Sequence, residues 1–447
     1  MSCWGGRQPV QRAKAIDSLY DLVTGDEDAR VCKDIPEEAC DDQPRNYFAY
    51  LVANLLNKVG DELASARLVL PWLLGALGAP AAFTGFLVPI REAGVLLPQL
   101  AVAAYIRRMP KRKGVWLLGA TLTALTLGLM AVAAVSLEGA TAGAVILALL
   151  LAFSLARGLC SVSAKDVLGK TVSKSRRGSL MGYSAGIAGV FTLGFGAYLE
   201  FFLGRPEDLW VFFALLVIAM GLWLVAVGVF ALIREQPGST EGGGNAMRVA
   251  LDSLGMLGSD PPFRRFLITR ALLLGLALAP PFLVLMAQEA SGGLSGLGMM
   301  IIASGLAGTV TSPVWGRLGD RSARLVMVIA AVLGAAVCIL TWLLARLDAA
   351  VMSESWTYAA LFAALAVFHS GVRLGRKVYL VDLATERTRA AYVAVSNTLI
   401  GVMMLFGGLI GALGDLFGPA SVLLLLGILS LAAGGYAWRL PEVSEPE

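Results

Sequence analysis

The sequence contains little charge. Only 15% of its 447 residues are Asp, Glu, Lys or Arg, whereas 57% are hydrophobic. A soluble domain carries about 25% charged residues. This composition argues against a soluble globular protein and is typical of a polytopic membrane protein.

Residues that bind metals are also scarce. The chain has one histidine, and its five cysteines show neither C-x-x-C nor zinc-type spacing. Three of them fall in an N-terminal segment that we expect on the cytoplasmic side, where thiols stay reduced. We therefore predict no metal site, no cofactor and five free thiols: Cys3, Cys32, Cys40, Cys160 and Cys338.

The first 46 residues form a polar arm with ten acidic and six basic residues, a net charge of −4 that leaves +8 for the remainder. No secretory signal peptide is predicted, because the first apolar run begins only after this arm. Ile16, Leu19, Tyr20 and Val23 recur at helical spacing within it. This pattern leaves open a leader lying on the surface or an element that docks a partner.

Twelve apolar runs follow, each of about 20 residues, the length that crosses a hydrocarbon layer about 30 Å thick. They are numbered span 1 to span 12 in chain order. Their cores are 51–73, 82–105, 115–136, 143–166, 179–201, 209–232, 266–288, 295–316, 325–345, 357–380, 391–414 and 420–438. An even number of spans puts both ends of the chain on one side of the membrane.

The distribution of basic residues predicts which side that is. The connections between spans 2 and 3, 4 and 5, 8 and 9, and 10 and 11 are rich in Lys and Arg, whereas the opposite loops carry little beyond Arg205 and Arg346. Basic loops stay in the cytoplasm. We therefore expect both termini to be cytoplasmic and the chain to lie in the plasma (cytoplasmic or inner) membrane.

A glycine-rich linker divides the spans six and six. A shift of 212 residues pairs Arg112 with Arg324, Arg157 with His369, Lys165 with Lys377 and Ser184 with Ser396, an internal-repeat signal. The predicted fold is therefore an all-α polytopic membrane protein whose 12 transmembrane helices form two pseudo-repeated six-helix bundles. The predicted units are an arm (1–46), a first bundle (47–233), a cytoplasmic linker (234–262), a second bundle (263–440) and a cytoplasmic tail (441–447).

The charged residues inside the spans predict which helices line an internal pathway. Spans 3, 6, 9 and 12 have uncharged cores, whereas spans 1, 2, 4 and 10 contain charges and span 7 has Arg270 near its start. A charge in lipid costs at least about 2.5–3.5 kcal/mol, so these residues face protein or a water-filled cavity. We expect spans 1, 4, 7 and 10 to line the pathway.

Proton-coupling candidates are Asp61, Glu62 and His369, and substrate-cavity candidates are Asn54, Lys58, Arg91, Glu92, Arg157, Arg373, Arg376 and Lys377. Each has a plainer alternative. Arg91 and Glu92 could be structural partners of neighbouring helices, for instance of Asp61 or Glu62. Arg376 and Lys377 could snorkel or join the bundles by ion pairs, and His369 could simply bond a neighbour.

The loop Gly316-Arg-Leu-Gly-Asp-Arg-Ser-Ala-Arg324, between spans 8 and 9, resembles the signature loop of the major facilitator superfamily of secondary transporters. The resemblance covers about residues 47–440. It implies a cytoplasmic latch between the two halves, for which the matching residues are Gly316, Asp320, Arg321, Arg324 and, in the first half, Arg112. The loop departs from the pattern at Ala323 and Leu325, and the first-half loop ending at Arg112 lacks the glycine and the aspartate.

Two further features bear on this resemblance. Arg157 resembles the arginine of a second family motif, on span 4, that is associated with proton coupling. The proline-containing motif on span 5 of drug/proton antiporters is absent from the segment 182–196, which counts against a multidrug exporter of that class.

The enzyme alternative rests on one string. Gly182-Tyr-Ser184-Ala-Gly186 matches G-x-S-x-G, but that motif requires a strand-to-helix turn, and here it falls inside an apolar run rich in small residues. No Walker motif is present. We expect no enzyme and no catalytic residue, and energy drawn from an ion or substrate gradient.

The sequence thus predicts a secondary transporter working by alternating access, coupled to protons or another ion and carrying a small organic anion or zwitterion. Asp61 or Glu62 would carry the proton, and Arg157 and Arg373 would hold an anionic group. We expect a monomer surrounded by lipid, without nucleic-acid partners. The alternative is a non-transporting membrane sensor or scaffold that recruits a partner through its acidic arm.

Overall fold

The computed structural model describes residues 16, 20, 23, 40–106, 108–202, 209–238, 240, 255–291, 295–385 and 388–443. All regular secondary structure within these ranges is helical. Most of the arm and most of the linker therefore lie outside the described residues.

The first half contains spans 1 to 6. Spans 1 and 2 each consist of two helices, and spans 3 to 6 are single helices. Span 1 is Gln43–Leu63 and Val69–Ala76, and span 2 is Ala81–Leu96 and Gln99–Ile106. Spans 3 to 6 are, in order, Lys113–Ser136, Gly139–Thr171, Lys174–Phe202 and Leu209–Ala231.

The second half contains spans 7 to 12. A short helix, Met256–Ser259, precedes span 7, which is built from three segments, and a 3₁₀ turn, Ala350–Ser353, precedes span 10. The segments of span 7 are Pro261–Leu272, Leu274–Leu278 and Pro280–Ser291. Spans 8, 9 and 10 are Ser295–Arg321, Ala323–Arg346 and Ser355–Leu383; span 11 is Arg389–Gly407, Gly408–Ile410 and Gly411–Phe417; span 12 is Pro419–Trp438.

The number of membrane-crossing helices agrees with the sequence. In the described part of the chain, nine helical segments are long and apolar enough to span a bilayer, and they correspond to spans 3 to 7 and 9 to 12. Spans 1, 2 and 8 fall outside this set, because spans 1 and 2 are broken and span 8 has a long apolar stretch only over Gly296–Ala307. These nine segments and the three remaining spans make twelve, so the predicted polytopic fold is confirmed.

Span 3 shows what the uncharged helices do. Its side chains Leu118, Leu125, Leu129 and Val132 are exposed on the outside of the protein. An exposed apolar face on a helix of this length is the face that contacts lipid. The lipid-facing role predicted from the absence of charge thus agrees with the packing.

Span 1 breaks between Leu63 and Val69. The backbone N–H groups of Leu68 and Leu70 both bond back to the carbonyl of Ser65, which ends one helix and starts the next. Pro71 follows in the first turn of the second helix, where its missing N–H costs nothing. Pro280 likewise begins the last segment of span 7, whereas span 8 continues as a helix through Pro313.

Spans 2 and 11 bring the two halves into close contact. A Cβ on Gly85 would lie 2.5 Å from the Cα of Gly411, so only glycine permits this approach. Spans 5 and 8 meet similarly, where a Cβ on Gly298 would lie 2.8 Å from the backbone N of Glu200. By contrast, Gly182, of the predicted Gly182-x-x-x-Gly186 seam, has no neighbour within 4 Å of a built Cβ.

Polar contacts between the halves gather at the end of the bundle remote from the termini. The Asp415 carboxylate accepts the backbone N–H groups of Ala81 at 2.6 Å and Ala82 at 3.0 Å, capping the start of span 2. Gln288 donates to the Trp72 carbonyl at 3.1 Å. At the opposite end Lys377, on span 10, is exposed. The described polar contacts between the halves therefore close the end remote from the termini, and none of them lies at the end that carries the termini, which we call the open end.

The cysteine prediction was wrong in one respect. Cys40 is disulfide-bonded, and its partner lies outside the described residues. Cys160 and Cys338 are free and buried, as expected. The expectation failed because it relied on the compartment assigned to the arm, and spacing alone cannot exclude a bond between distant cysteines.

Candidate functional site

A cavity of about 480 Å³ lies between the two halves. Spans 1 and 2 line it from the first half, and spans 7, 8 and 10 from the second. Its ionisable lining residues are Asp61, Glu62, Arg67, Arg91, Glu92, His369 and Arg373. Spans 1, 7 and 10 were predicted to line the pathway, whereas span 4 lies behind the cavity and reaches it through Arg157.

Asp61 is the most heavily engaged carboxylate of the cavity. It accepts from Arg157 Nη2 of span 4 at 2.6 Å and lies 3.5 Å from Arg91 Nη2 of span 2. Each arginine also stacks on a ring, since the Arg157 guanidinium lies 4.6 Å from the centre of the Trp223 ring and that of Arg91 5.0 Å from Phe153. Asp61 therefore ties spans 1, 2 and 4 together.

Glu92 has a partner that the sequence analysis missed. Arg67 lies in the break of span 1 and donates to Glu92 Oε1 at 2.9 Å. Arg67 was overlooked because it does not share the helix face of Asp61 and Glu62. The signal that could have found it is Pro71, four residues on, because proline favours the first turn of a helix and so indicates that a new helix begins just after Arg67.

Glu62 and Arg373 differ from these paired groups. Both side chains line the cavity and both residues are exposed to its space. Neither makes an ion pair or a side-chain hydrogen bond with any residue that the structure describes. They contribute a carboxylate from span 1 and a guanidinium from span 10, neither of them paired with a described residue, to one cavity.

His369 also lines the cavity and is buried. Its two ring nitrogens have no hydrogen-bond partner in the described part of the chain. Burying such a group unpaired is costly, so a water or ligand atom is the expected partner.

Four other candidates lie toward the end that carries the termini. Asn54 donates to Ser184 Oγ at 2.7 Å and so ties span 1 to span 5. Lys58 lines a smaller cavity of about 200 Å³ together with Arg157. Lys58, Arg376 and Lys377 make no ion pair with another described residue, so this approach to the main cavity is basic.

The two halves repeat one of these contacts. Ser184 and Ser396, equivalent in the repeat, each accept a hydrogen bond from the first span of their own half. The donor to Ser396 is Arg270, which also donates to Asn397 at 3.0 Å. The halves differ in a second contact, since Arg157 has the partner Asp61, whereas no described residue bonds the ring nitrogens of its equivalent His369.

In the first half, Arg112 begins span 3, ion-pairs with Asp166 and donates its backbone N–H to the Glu235 carboxylate at 2.8 Å. Lys170 completes the cluster, 2.8 Å from Asp166 and 3.2 Å from Glu235. Neither Asp166 nor Glu235 was among the predicted latch residues. Their contacts hold the ends of spans 3, 4 and 6 together within one half.

In the second half, Arg324 begins span 9, lies 3.3 Å from Glu442 and donates to the Leu440 carbonyl at 3.0 Å. Arg321 is exposed, and Gly316 meets nothing within 4 Å of a built Cβ. The side chain of Asp320 lies outside the described residues. The described contacts of Arg112 and Arg324 stay within their own halves, and the latch between halves stays a prediction.

Residues 266–447 match the model of the Major Facilitator Superfamily. The chain superposes on the inward-open xylose transporter XylE from E. coli with a TM-score of 0.63 and 12% identity, over 89% of this chain and 96% of that one. The chain thus shares the fold of these transporters, and its second half matches the family model.

Other comparisons agree with this assignment. A POT family transporter in complex with a thioalcohol-conjugated peptide gives a TM-score of 0.67 at 15% identity, covering 90% of this chain and 97% of that chain. The nucleoside transporter NupG gives 0.64 at 13%, covering 88% and 98%. Uncharacterized proteins of Mycobacterium tuberculosis (strain ATCC 25618 / H37Rv) and Mycobacterium bovis are 26% identical over 370 residues, covering 80% of this chain and 70% of theirs.

The family match over residues 266–447 and the shared fold indicate a multi-pass secondary transporter and not an enzyme. The G-x-S-x-G string agrees, because Ser184 lies inside the helix Lys174–Phe202 and not at a strand-to-helix turn. Its hydroxyl is engaged by Asn54, and the hydrolase alternative is set aside.

Proposed function

We propose that this transporter carries a small organic anion together with a proton, by alternating access. One observation carries the proposal: Glu62 and Arg373 line the same cavity without an ion-pair partner among the described residues, whereas Asp61 and Glu92 are each held by arginine. A free acid and a free base at one site can bind a proton and an anion.

The charge balance supports coupling. Three acidic and three always-charged basic side chains line the cavity, and Arg157 adds a positive charge against Asp61. Protonation of Glu62 removes a negative charge and leaves the site more positive, which favours an anion. A bound anion raises the affinity of Glu62 for its proton by the same factor, because the coupling free energy between two binding sites is reciprocal. Proton and anion therefore bind together.

The basic groups take different roles. Arg373 holds the anionic group, because its guanidinium is free and can bind a carboxylate or phosphate through two hydrogen bonds. His369 supplies a ring nitrogen to the same ligand. Arg157, which we had considered as an anion ligand, instead positions spans 1 and 4 through Asp61. Arg376 and Lys377 draw the anion in from the open end.

The membrane arrangement follows from the basic loops. Both termini and the open end would face the cytoplasm of a monomer in the plasma membrane, with Asp320 and Arg321 contributing to a latch in the opposite conformation. A scaffold that recruits partners through the acidic arm is the competing account. It has no need of an open cavity with an unpaired acid and an unpaired base.

Binding measurements on purified protein test the anion site. Small organic carboxylates and phosphates are screened by thermal shift against the wild type, Arg373→Ala, and the loop control Arg346→Ala. We expect a subset of anions to stabilise the wild type and Arg346→Ala but not Arg373→Ala. Anions that stabilise Arg373→Ala as well as the wild type would contradict the assignment, and the absence of any effect would favour the scaffold.

A further inference from the structure

A second cavity adjoins the first and is chemically its opposite. It has a volume of about 220 Å³ and shares Glu62, Leu68 and Ser304 with the charged cavity. Apart from Glu62, the residues lining it are apolar or hydroxyl-bearing, among them Phe191, Phe195 and Ile301. We call it the apolar crevice.

The apolar crevice runs toward the lipid-facing surface between the two halves. Spans 5 and 6 contribute one wall, and Ile301 of span 8 contributes the other. Phe191 is 58% exposed and Ile218 is 49% exposed, so the crevice reaches the outside of the bundle. Its inner end is at Glu62. A path of apolar surface therefore connects the side of the protein with the charged cavity.

A polar solute would leave this crevice unused. Small hydrophilic ligands gain nothing from apolar walls, whereas each buried methylene group favours binding. A ligand seated on Arg373 that also carried an apolar chain could place that chain past Glu62 into the crevice. The two cavities together match a molecule with a charged head and a hydrocarbon tail.

We propose that the substrate is an amphipathic anion, with its head at Arg373 and a single apolar tail in the apolar crevice. This inference rests on the proposed function and names its substrate class. Glu62 lies at the junction of the two cavities. It would bind its proton when the tail enters the crevice, because an ionised carboxylate beside a hydrocarbon chain is unfavourable. Proton binding and tail insertion therefore favour each other.

A chain-length series tests the inference. Binding of butyl, hexyl and octyl phosphate to the full-length protein in lipid nanodiscs is measured by isothermal titration, with empty nanodiscs subtracted. We expect affinity to rise with length, by at most about fourfold for each added methylene. Octanol, which lacks the charged head, should compete poorly.

Matched variants show whether the tail uses the crevice. Thr192→Trp fills the crevice, whereas Val190→Trp, two positions earlier and 68% exposed, adds the same ring on the outer face. We expect Thr192→Trp to bind butyl phosphate normally and to lose the gain with chain length, while Val190→Trp keeps it. As a second readout, octyl phosphate with a terminal diazirine should crosslink to Phe191, Phe195 or Ile301 in the wild type.

The outcomes separate the two proposals. If all three phosphates bind equally, or if both tryptophan variants keep the chain-length gain, the tail assignment is wrong and the anion site stands. If no alkyl phosphate binds the wild type, the amphipathic substrate is overturned, and the thermal-shift screen of carboxylates and phosphates decides the anion site separately. Crosslinks confined to the outer lipid-facing positions would identify the crevice as a space filled by membrane lipid only.

Discussion

Asp61 accepts a hydrogen bond from Arg157 Nη2 at 2.6 Å, and this contact joins span 1 to span 4 beside the charged cavity. Arg91 approaches the same carboxylate from span 2 at 3.5 Å. A single acid thus neutralises part of two guanidinium groups within the membrane-spanning part of the first half. In the second half His369 stands at the position equivalent to Arg157, and none of the described residues bonds its ring nitrogens.

Asp61→Asn should destabilise the protein. Removing one partner of a buried ion pair costs about 3–5 kcal/mol, and we expect about 2–3 kcal/mol here because both side chains are about one-fifth exposed. The unfolding midpoint, followed by size-exclusion chromatography after heating, should fall by several degrees.

The control for this prediction is Glu354→Gln, a loop residue outside the network. The double variant Asp61→Asn/Arg157→Gln should recover part of the loss, because it leaves no arginine facing a neutral partner at the 2.6 Å contact. Additive effects of the two single changes would show that Asp61 and Arg157 do not act as a pair.

Asp415 caps the start of span 2 from the other half, and Asp415→Ala should loosen the closed end. The variant loses two hydrogen bonds to backbone N–H groups. Loss of a typical helix N-cap costs about 1 kcal/mol of stability. This corresponds to an approximately fivefold shift of the conformational equilibrium away from the conformation seen here.

Spin labels on the loops at Ala79 and Phe417, placed by cysteine substitution, would report the shift as a longer distance population. Glu138→Ala is the matched control, since Glu138 is an exposed acid on a loop at the same end and makes no side-chain cap. An unchanged distance distribution in Asp415→Ala would mean that the glycine contact of spans 2 and 11 alone keeps this end closed.

The two glutamates beside the repeated loop arginines should differ in their contribution to stability. Glu235 is 6% exposed and accepts from the backbone N–H groups of Arg112 and Lys113. Glu235→Ala leaves these donors buried and should cost about 2 kcal/mol. Glu442 has a side chain 37% exposed, so Glu442→Ala should cost less than about 1 kcal/mol.

Thermal unfolding of both variants in the same detergent compares these costs directly. A larger loss for Glu442→Ala would contradict the account, because it would place the stronger clamp in the second half. Glu442→Gln serves as the control for side-chain length, and should lie between the wild type and Glu442→Ala.

Much of the fold could be predicted because membrane insertion imposes strict length and charge requirements. The twelve spans and the uncharged lipid-facing helices follow from those requirements. The positions of Arg67 and Asp415 could not be predicted, because they depend on a break in one helix and on the approach of two distant spans.

The site was only partly predictable for a related reason. Periodicity places Asp61, Glu62 and Arg157 in the interior, but it cannot assign partners. Which acid is neutralised depends on the rotation and spacing of three helices, and that assignment separates the held carboxylate of Asp61 from the free one of Glu62. His369, whose ring nitrogens no described residue bonds, likewise could not be identified from periodicity.

Glu62 is the residue on which the transport account depends, and Glu62→Gln is the matched change. It keeps the size and hydrogen-bonding capacity of the side chain but cannot release a proton. The variant should still bind anions at Arg373, because the glutamine resembles the protonated acid. Asp61→Asn, assayed beside it, distinguishes loss of the proton site from loss of the helix network.

The most direct test is proton uptake into liposomes containing a trapped pH-sensitive dye, driven by an inward gradient of an anion that stabilises the wild type. The account predicts acidification with the wild type and none with Glu62→Gln, although labelled anion still exchanges across the membrane in the variant. Wild-type acidification in Glu62→Gln, at an unchanged ratio of protons to anions, would contradict it.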